Sequence, residues 1–193
     1  MRKILRTLVL GFGLSLAGPI FAQDPGSWYF TTIDFPGAVS TDGYGISSTG
    51  EMTGGYFSAD GHQHGWRRTR SGGFTSIDFP GSDFTKAFQS NARGDLVGNY
   101  SFDGDPVERH GYLLRHGSFT TFDPPGSFWT QPYGINDRGE ITGRYCVVQS
   151  ACDDGLGNFH GFLRTRNGDF ITIDVPGGHD TACFKSNSRG DIV

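Results

Sequence analysis

Three histidines recur at matched positions in the chain, His64, His110 and His160, each followed by glycine and an aromatic residue. Three imidazoles are a known zinc set, but residues repeated once per structural unit lie a unit apart and converge only around a central channel. The reading they support best is structural, with a ring nitrogen bonded to a neighbouring strand or turn. His62 stands two residues before His64 in the first copy alone, and an HxH pair on one strand face can chelate metal. Four aspartates recur as well, Asp34, Asp78, Asp123 and Asp174, each followed after one residue by Pro-Gly. A glycosidase needs two carboxylates placed asymmetrically about a bond; four equivalent ones read as turn formers that accept backbone N–H groups.

Acidic residues also crowd glycines elsewhere. Asp103 and Asp105 flank Gly104, and Asp153 and Asp154 precede Gly155. Their oxygens could ligate calcium, although neither stretch has the full spacing of an EF-hand loop. No GxSxG, phosphate-binding loop, dinucleotide fingerprint, HExxH or CxxC occurs, so no catalytic constellation is expected.

The elements that must hold these residues are written as a repeat. FTTIDFPG from Phe30 returns as FTSIDFPG from Phe74, FTTFDPPG from Phe119 and FITIDVPG from Phe170. A second phrase follows each copy, GEMTGGY from Gly50, GDLVGNY from Gly94, GEITGRY from Gly139 and GDIV from Gly190. The histidine phrases complete the first three units. Glycine ahead of each second phrase, and Asn167-Gly168 between the histidine strand and the next FTT strand, mark tight hairpins. Each unit therefore reads as four short antiparallel strands, near Tyr44 to Ser47, Gly50 to Tyr56, His64 to Thr69 and Phe74 to Phe79 in the first full copy.

In FTTIDF large apolar groups fall on both sides of the strand, since side chains alternate. Four-stranded units of about 45 residues covered on both faces are what a β-propeller blade requires. A linear β-solenoid is the alternative. The expected fold is thus all-β and propeller-like, about three and a half blades over residues 23–193, with the fourth unit cut short at Val193. Either the sequence is a fragment, or the open edge at Ile192 and Val193 recruits another chain in self-association.

Phrases of the form HGF, FTT-ID-PG and GIN-x-x-GEI-x-G-x-Y resemble the HAF repeat of extracellular bacterial proteins. Tyr133 to Tyr145, followed by His160, Gly161 and Phe162, carry that pattern most fully. The resemblance covers nearly everything from Phe30 onward and implies an exported, propeller-like protein without defined catalytic residues. The first copy departs from the pattern, with Ser47 where Asn136 stands in the third.

The start of the chain gives an address. Arg2, Lys3 and Arg6, an apolar run from Leu8 to Ala17 and the small Ala22 read as a signal peptide over residues 1–22, with an N-terminal anchor as the alternative. The run is too short for a membrane span. Removing it leaves 13 Lys plus Arg against 20 Asp plus Glu, an acidic chain that disfavours nucleic acid as a partner. With charged residues at 19% and aromatics at 14%, disorder is excluded too. Secretion allows a disulfide between Cys146 and Cys152, which bracket five residues in a connection, and leaves Cys183 over. The connections between the second and third strands have 7, 9 and 14 residues, the kind of variation that carries binding on a rigid scaffold. The expected function is an exported binding or scaffold module for an extracellular glycan or protein. A carbohydrate-active enzyme and a calcium-stabilised surface protein are the alternatives.

Overall fold

The computed structural model describes residues 29–102, 108–149, 152 and 158–193. Residues 1–22, read above as a signal peptide, and the calcium candidates Asp103, Asp105, Asp153 and Asp154 lie outside the described residues.

Among the described residues twelve strands follow in chain order. The first unit holds β1 (Ser40–Ile46), β2 (Met52–Phe57), β3 (Gln63–Arg68) and β4 (Phe74–Ile77); the second holds β5 (Phe84–Ser90), β6 (Leu96–Ser101), β7 (His110–Arg115) and β8 (Ser118–Phe122). The third holds β9 (Trp129–Ile135), β10 (Ile141–Cys146), β11 (His160–Arg164) and β12 (Phe170–Ile173). The chain is all-β, and within each unit every strand pairs antiparallel with the next. The first strand of each unit starts earlier than the phrase spacing predicts, because Ser40 to Gly43 continue the ladder opposite Gly54 to Phe57. Gly50, Gly94 and Gly139 close the first turn of each unit with φ of 82°, 79° and 86°, a conformation open to glycine at no steric cost.

Units meet through side chains far more than through backbone. A single parallel pair, Gln63 with Phe84, joins the first two units into one continuous sheet. An isolated parallel bridge from Arg109 to Trp129 links the second and third, whose sheets are otherwise separate. The packing is face to face. Ile77 of the first unit clusters with Ala87, Leu96, Tyr100, Tyr112 and Leu114 of the second. Val97, Leu113 and Phe122 of the second cluster with Ile135, Ile141 and Phe162 of the third. Strand β6 is buried at all six positions, as a sheet covered on both faces demands, and its Leu96 and Val97 side chains contribute about 1.5–3 kcal/mol each.

Two expectations need correction. The FTT segment from Phe30 forms no strand; β4, β8 and β12 each pair with the histidine strand of their own unit, and no described residue before Phe30 offers the segment such a partner. The segment from Gly190 is not left unpaired: Val193 N–H donates to Lys185 O at 3.0 Å, Phe184 N–H donates to Val193 O at 2.7 Å, and Ser186 bridges Ile192.

Candidate functional site

A meander of four strands puts its first and third turns at one end and its second turn and exit at the other. The second end carries the variable connections and the recurring histidines. His64, His110 and His160 each pair across the ladder with a tyrosine, Tyr56, Tyr100 and Tyr145. The ring centroids lie 4.9, 5.4 and 5.3 Å apart, stacked for His64 and tilted by 36° for His110 and His160. Each imidazole then turns Nδ1 to the aspartate that ends the neighbouring strand: His64 to Asp78 at 2.6 Å, His110 to Asp123 at 2.9 Å, His160 to Asp174 at 2.9 Å. The tyrosine hydroxyls reach over the same strand to Ser76, Thr121 and Thr172 at 3.1, 2.9 and 2.9 Å.

The aspartates thus do something other than the turn-forming role expected of them. Apart from Gly111 N–H on Asp123, 3.2 Å away, their partners in these three units are imidazoles and, for Asp78, the Ser76 hydroxyl. A threonine six residues after the residue before Pro-Gly takes the turn amide instead: Phe79 N–H donates to Thr85 Oγ1 and Val175 N–H to Thr181 Oγ1, each at 3.1 Å, as Phe35 N–H does to Thr41 Oγ1. The physical reason is alternation. The aspartate faces the adjacent histidine strand, leaving the bend to be closed from the following segment. Asp34 begins the same bend with no histidine ahead of it in the sequence.

Each histidine is committed within its own unit, and among the described residues no cluster of three His, Cys, Asp or Glu could hold a metal ion. His62 is exposed, its Nδ1 3.9 Å from Asp60.

The first unit adds a group that the motif search missed. Ser58 Oγ lies 2.9 Å from His64 Nε2, on the far side of the ring from Asp78. Ser58, His64 and Asp78 therefore form a hydroxyl–imidazole–carboxylate line, in which Ser76 donates to the other Asp78 oxygen at 2.7 Å. Such a line lets the imidazole take a proton from the hydroxyl. Ser58 also contacts the Asp60 carboxylate, which competes for that proton. No sequence signature covers it, because the serine lies in a turn six residues before the histidine; its one signal was being a hydroxyl at the foot of a variable connection.

In the third unit the same end opens into a cleft of about 430 Å³. Val147, Val148 and Val175, all exposed, line it together with Phe159, His160 and Asp174. A Cys146–Cys152 disulfide pins the connection that carries Val147 and Val148. Cys183 is a free, buried thiol, and burial, with the charge of Asp174, pushes its pKa up.

At the opposite end an Asn-x-Arg-Gly-acid turn repeats. Asn136 Oδ1 accepts from Arg138 and Glu140 amides at 3.0 Å each, while its Nδ2 donates to Glu140 at 2.7 Å. Asn91 caps its own turn in the same way, through the Arg93 and Asp95 amides. The side-chain amides also stitch units together, Asn91 Nδ2 to Asn136 O and Asn136 Nδ2 to Asn187 O, both at 3.2 Å. Glu140 is held below the usual carboxylate range by the Asn136 hydrogen bond and Arg138. Asp95 has a side chain only 3% exposed; burial alone would raise its pKa, but the hydrogen bonds of Arg115 and Asn91 and the charges of Arg115 and Arg93 lower it. Turns from all the units border one polar pit of about 180 Å³, with Ser47, Ser90, Asn136 and Asn187 on its walls.

Comparison with known families, with curated proteins and with solved structures found no match.

Proposed function

We propose that this chain is an exported binding module, a propeller-like array that offers the cleft of its third unit to an extracellular protein. The cleft carries the reading. Val147 and Val148, exposed on a connection pinned by a disulfide, form an apolar floor with the exposed Val175 and the buried Phe159, and His160 with Asp174 supplies a polar wall. Pockets of this makeup fix a ligand through a few polar groups while apolar contact supplies affinity. A glycan is favoured less, because sugars stack on open aromatic faces and Phe159 is only 5% exposed.

The propeller part of the reading draws support from the polar pit. Residues from Ile46 to Ser48, near the start of the array, and from Ser186 to Ser188, near its end, border the same small space as Asn91 and Asn136. Units stacked in a straight line would carry their first and last turns apart, whereas units turning about an axis bring them together. Disulfide-permissive chemistry and the resemblance to HAF repeats support export.

Selection of displayed peptides on the purified exported chain tests the proposal. Sequences with apolar anchors should be enriched, and Val148→Asp should weaken their binding at least tenfold while Ser48→Ala leaves it unchanged. Peptides that bind both variants alike, or no enrichment at all, would count against the cleft.

The Ser58–His64–Asp78 line favours a second reading, an ester hydrolase in which Ser58 Oγ attacks an acyl carbon and His64 Nε2 takes the proton. A fluorophosphonate probe should then label Ser58 and fail on Ser58→Ala; absence of labelling removes this reading and leaves the first intact.

A further inference from the structure

In the first unit the position two residues past the strand tyrosine is Ser58, whose hydroxyl meets His64 Nε2 at 2.9 Å. In the second unit Glu108 stands 3.6 Å from His110 Nε2. The third unit departs from both. At the position of Ser58 it has Val147, which has no polar atom to offer, and at the position of Glu108 it has the uncharged Asn158. Both of these residues line the cleft together with His160.

The other ring nitrogen of His160 is committed. Its Nδ1 lies 2.9 Å from Asp174 Oδ2, which places the proton of the neutral ring on Nδ1 and leaves Nε2 an acceptor. The Asp174 side chain is 46% exposed, and none of the described residues that line the cleft is Lys or Arg. This wall therefore takes a hydrogen-bond donor, and a cationic donor better than a neutral one, since an ammonium satisfies the imidazole nitrogen and balances the carboxylate together. An anion would meet Asp174 as a like charge. Residues 23–193 carry 13 Lys plus Arg against 20 Asp plus Glu, a balance that steers cationic partners toward the chain. Beside the wall, Val147, Val148 and Val175 are exposed, and an aliphatic stem ending in an ammonium covers such a surface while keeping its charge at the polar edge.

Resting on the reading of this cleft given above, we propose that it recognises a lysine of the extracellular protein partner. The ammonium donates to His160 Nε2, in the role that the Ser58 hydroxyl fills in the first unit, and balances Asp174. The methylene stem and an adjoining aliphatic residue lie on the three valines. Val147 is then a specificity-determining residue: by withholding a hydroxyl it leaves the imidazole acceptor to the partner.

Fluorescence anisotropy of labelled peptides on the exported chain tests this. The probes share a Leu-Leu core and differ in one adjoining residue, which is lysine, acetyl-lysine or glutamate. The lysine peptide should bind at least tenfold more tightly than the acetyl-lysine peptide, and the glutamate peptide should bind most weakly. Asp174→Asn should remove most of the lysine advantage while keeping the binding of the acetyl-lysine peptide. Should that variant fold poorly, Val147→Ser, a change at an exposed position, should do the same, because its hydroxyl would bond His160 as Ser58 bonds His64. An acetyl-lysine peptide that binds as tightly as the lysine peptide, or a lysine advantage that survives Val147→Ser, would overturn the proposal and leave the apolar cleft standing. Binding by none of the three peptides would overturn both the proposal and the reading it rests on.

Discussion

Replacing Gly98 by alanine should damage this protein more than any comparable glycine change on a turn. Gly98 is buried in β6, and a Cβ there would overlap the Lys86 carbonyl oxygen of β5 and come within 2.5 Å of the Tyr112 hydroxyl. The backbone oxygen cannot retreat, because Lys86 is laddered to Asn99. Tyr112 must move instead, although it is wholly buried and donates to that same oxygen at 3.0 Å. Overpacking of a well-filled core costs about 1–3 kcal/mol, and a buried hydroxyl left without its partner costs about 1–3 kcal/mol more. A loss of roughly 3–5 kcal/mol corresponds to a fall in melting temperature of about 6–20 °C for a chain of this size. Gly43→Ala is the control, since a Cβ there meets nothing within 4 Å; it should stay within about 1 kcal/mol of the parent. Thermal unfolding followed by circular dichroism reads both. A Gly98→Ala protein that melts within about 2 °C of the parent would refute the packing argument.

Stability should fall as pH drops through the range below about 4, because Asp95 and Glu140 have folded pKa values below their unfolded ones and their contribution, full above the unfolded value, is lost as they protonate. Asp95→Asn should flatten that slope in part, with Glu140 keeping the remainder; denaturant midpoints at pH 3 to 7 check it. Tyr145→Phe removes the bond to Thr172 and should cost about 1 kcal/mol, a loss that Thr172→Val in the same chain should not deepen by the same amount again. Cys183, 3% exposed, should resist a thiol reagent at pH 8 in the folded protein and react at once in denaturant; equal rates would mean that the site opens readily.

The strand plan was legible because hydrophobic alternation and turn glycines are local. Gly50, Gly94 and Gly139 announce their own positive φ, and the hairpins around them follow. What joins one strand to another through side chains was harder to read. The histidines and aspartates of the repeat were visible as positions, but that His110 takes Asp123 depends on the register of β7 and β8, which no spacing fixes. Ser58 was hidden for the same reason: its partner His64 is reached by folding a turn back on a strand. The partner of Asp180 was hidden in the same way. Asp180 stands where Phe84 and Trp129 fill the matching places, and its carboxylate accepts from the Phe159 amide at 3.0 Å.

Neighbouring units share one parallel pair and otherwise touch through side chains, so each ladder is complete without its neighbour's backbone. A duplication or loss of one whole period in the gene would therefore leave every remaining hairpin in register. It would also set the new unit's variable connection on the same rim as the old ones, since each unit leaves the rim where it entered. Lineages carrying such chains can then change the number and content of their rim loops independently. The arginine-bearing turns on the far side, tied to one another by Asn91 and Asn136, would vary less freely, because a change in one asparagine is felt by the next unit along.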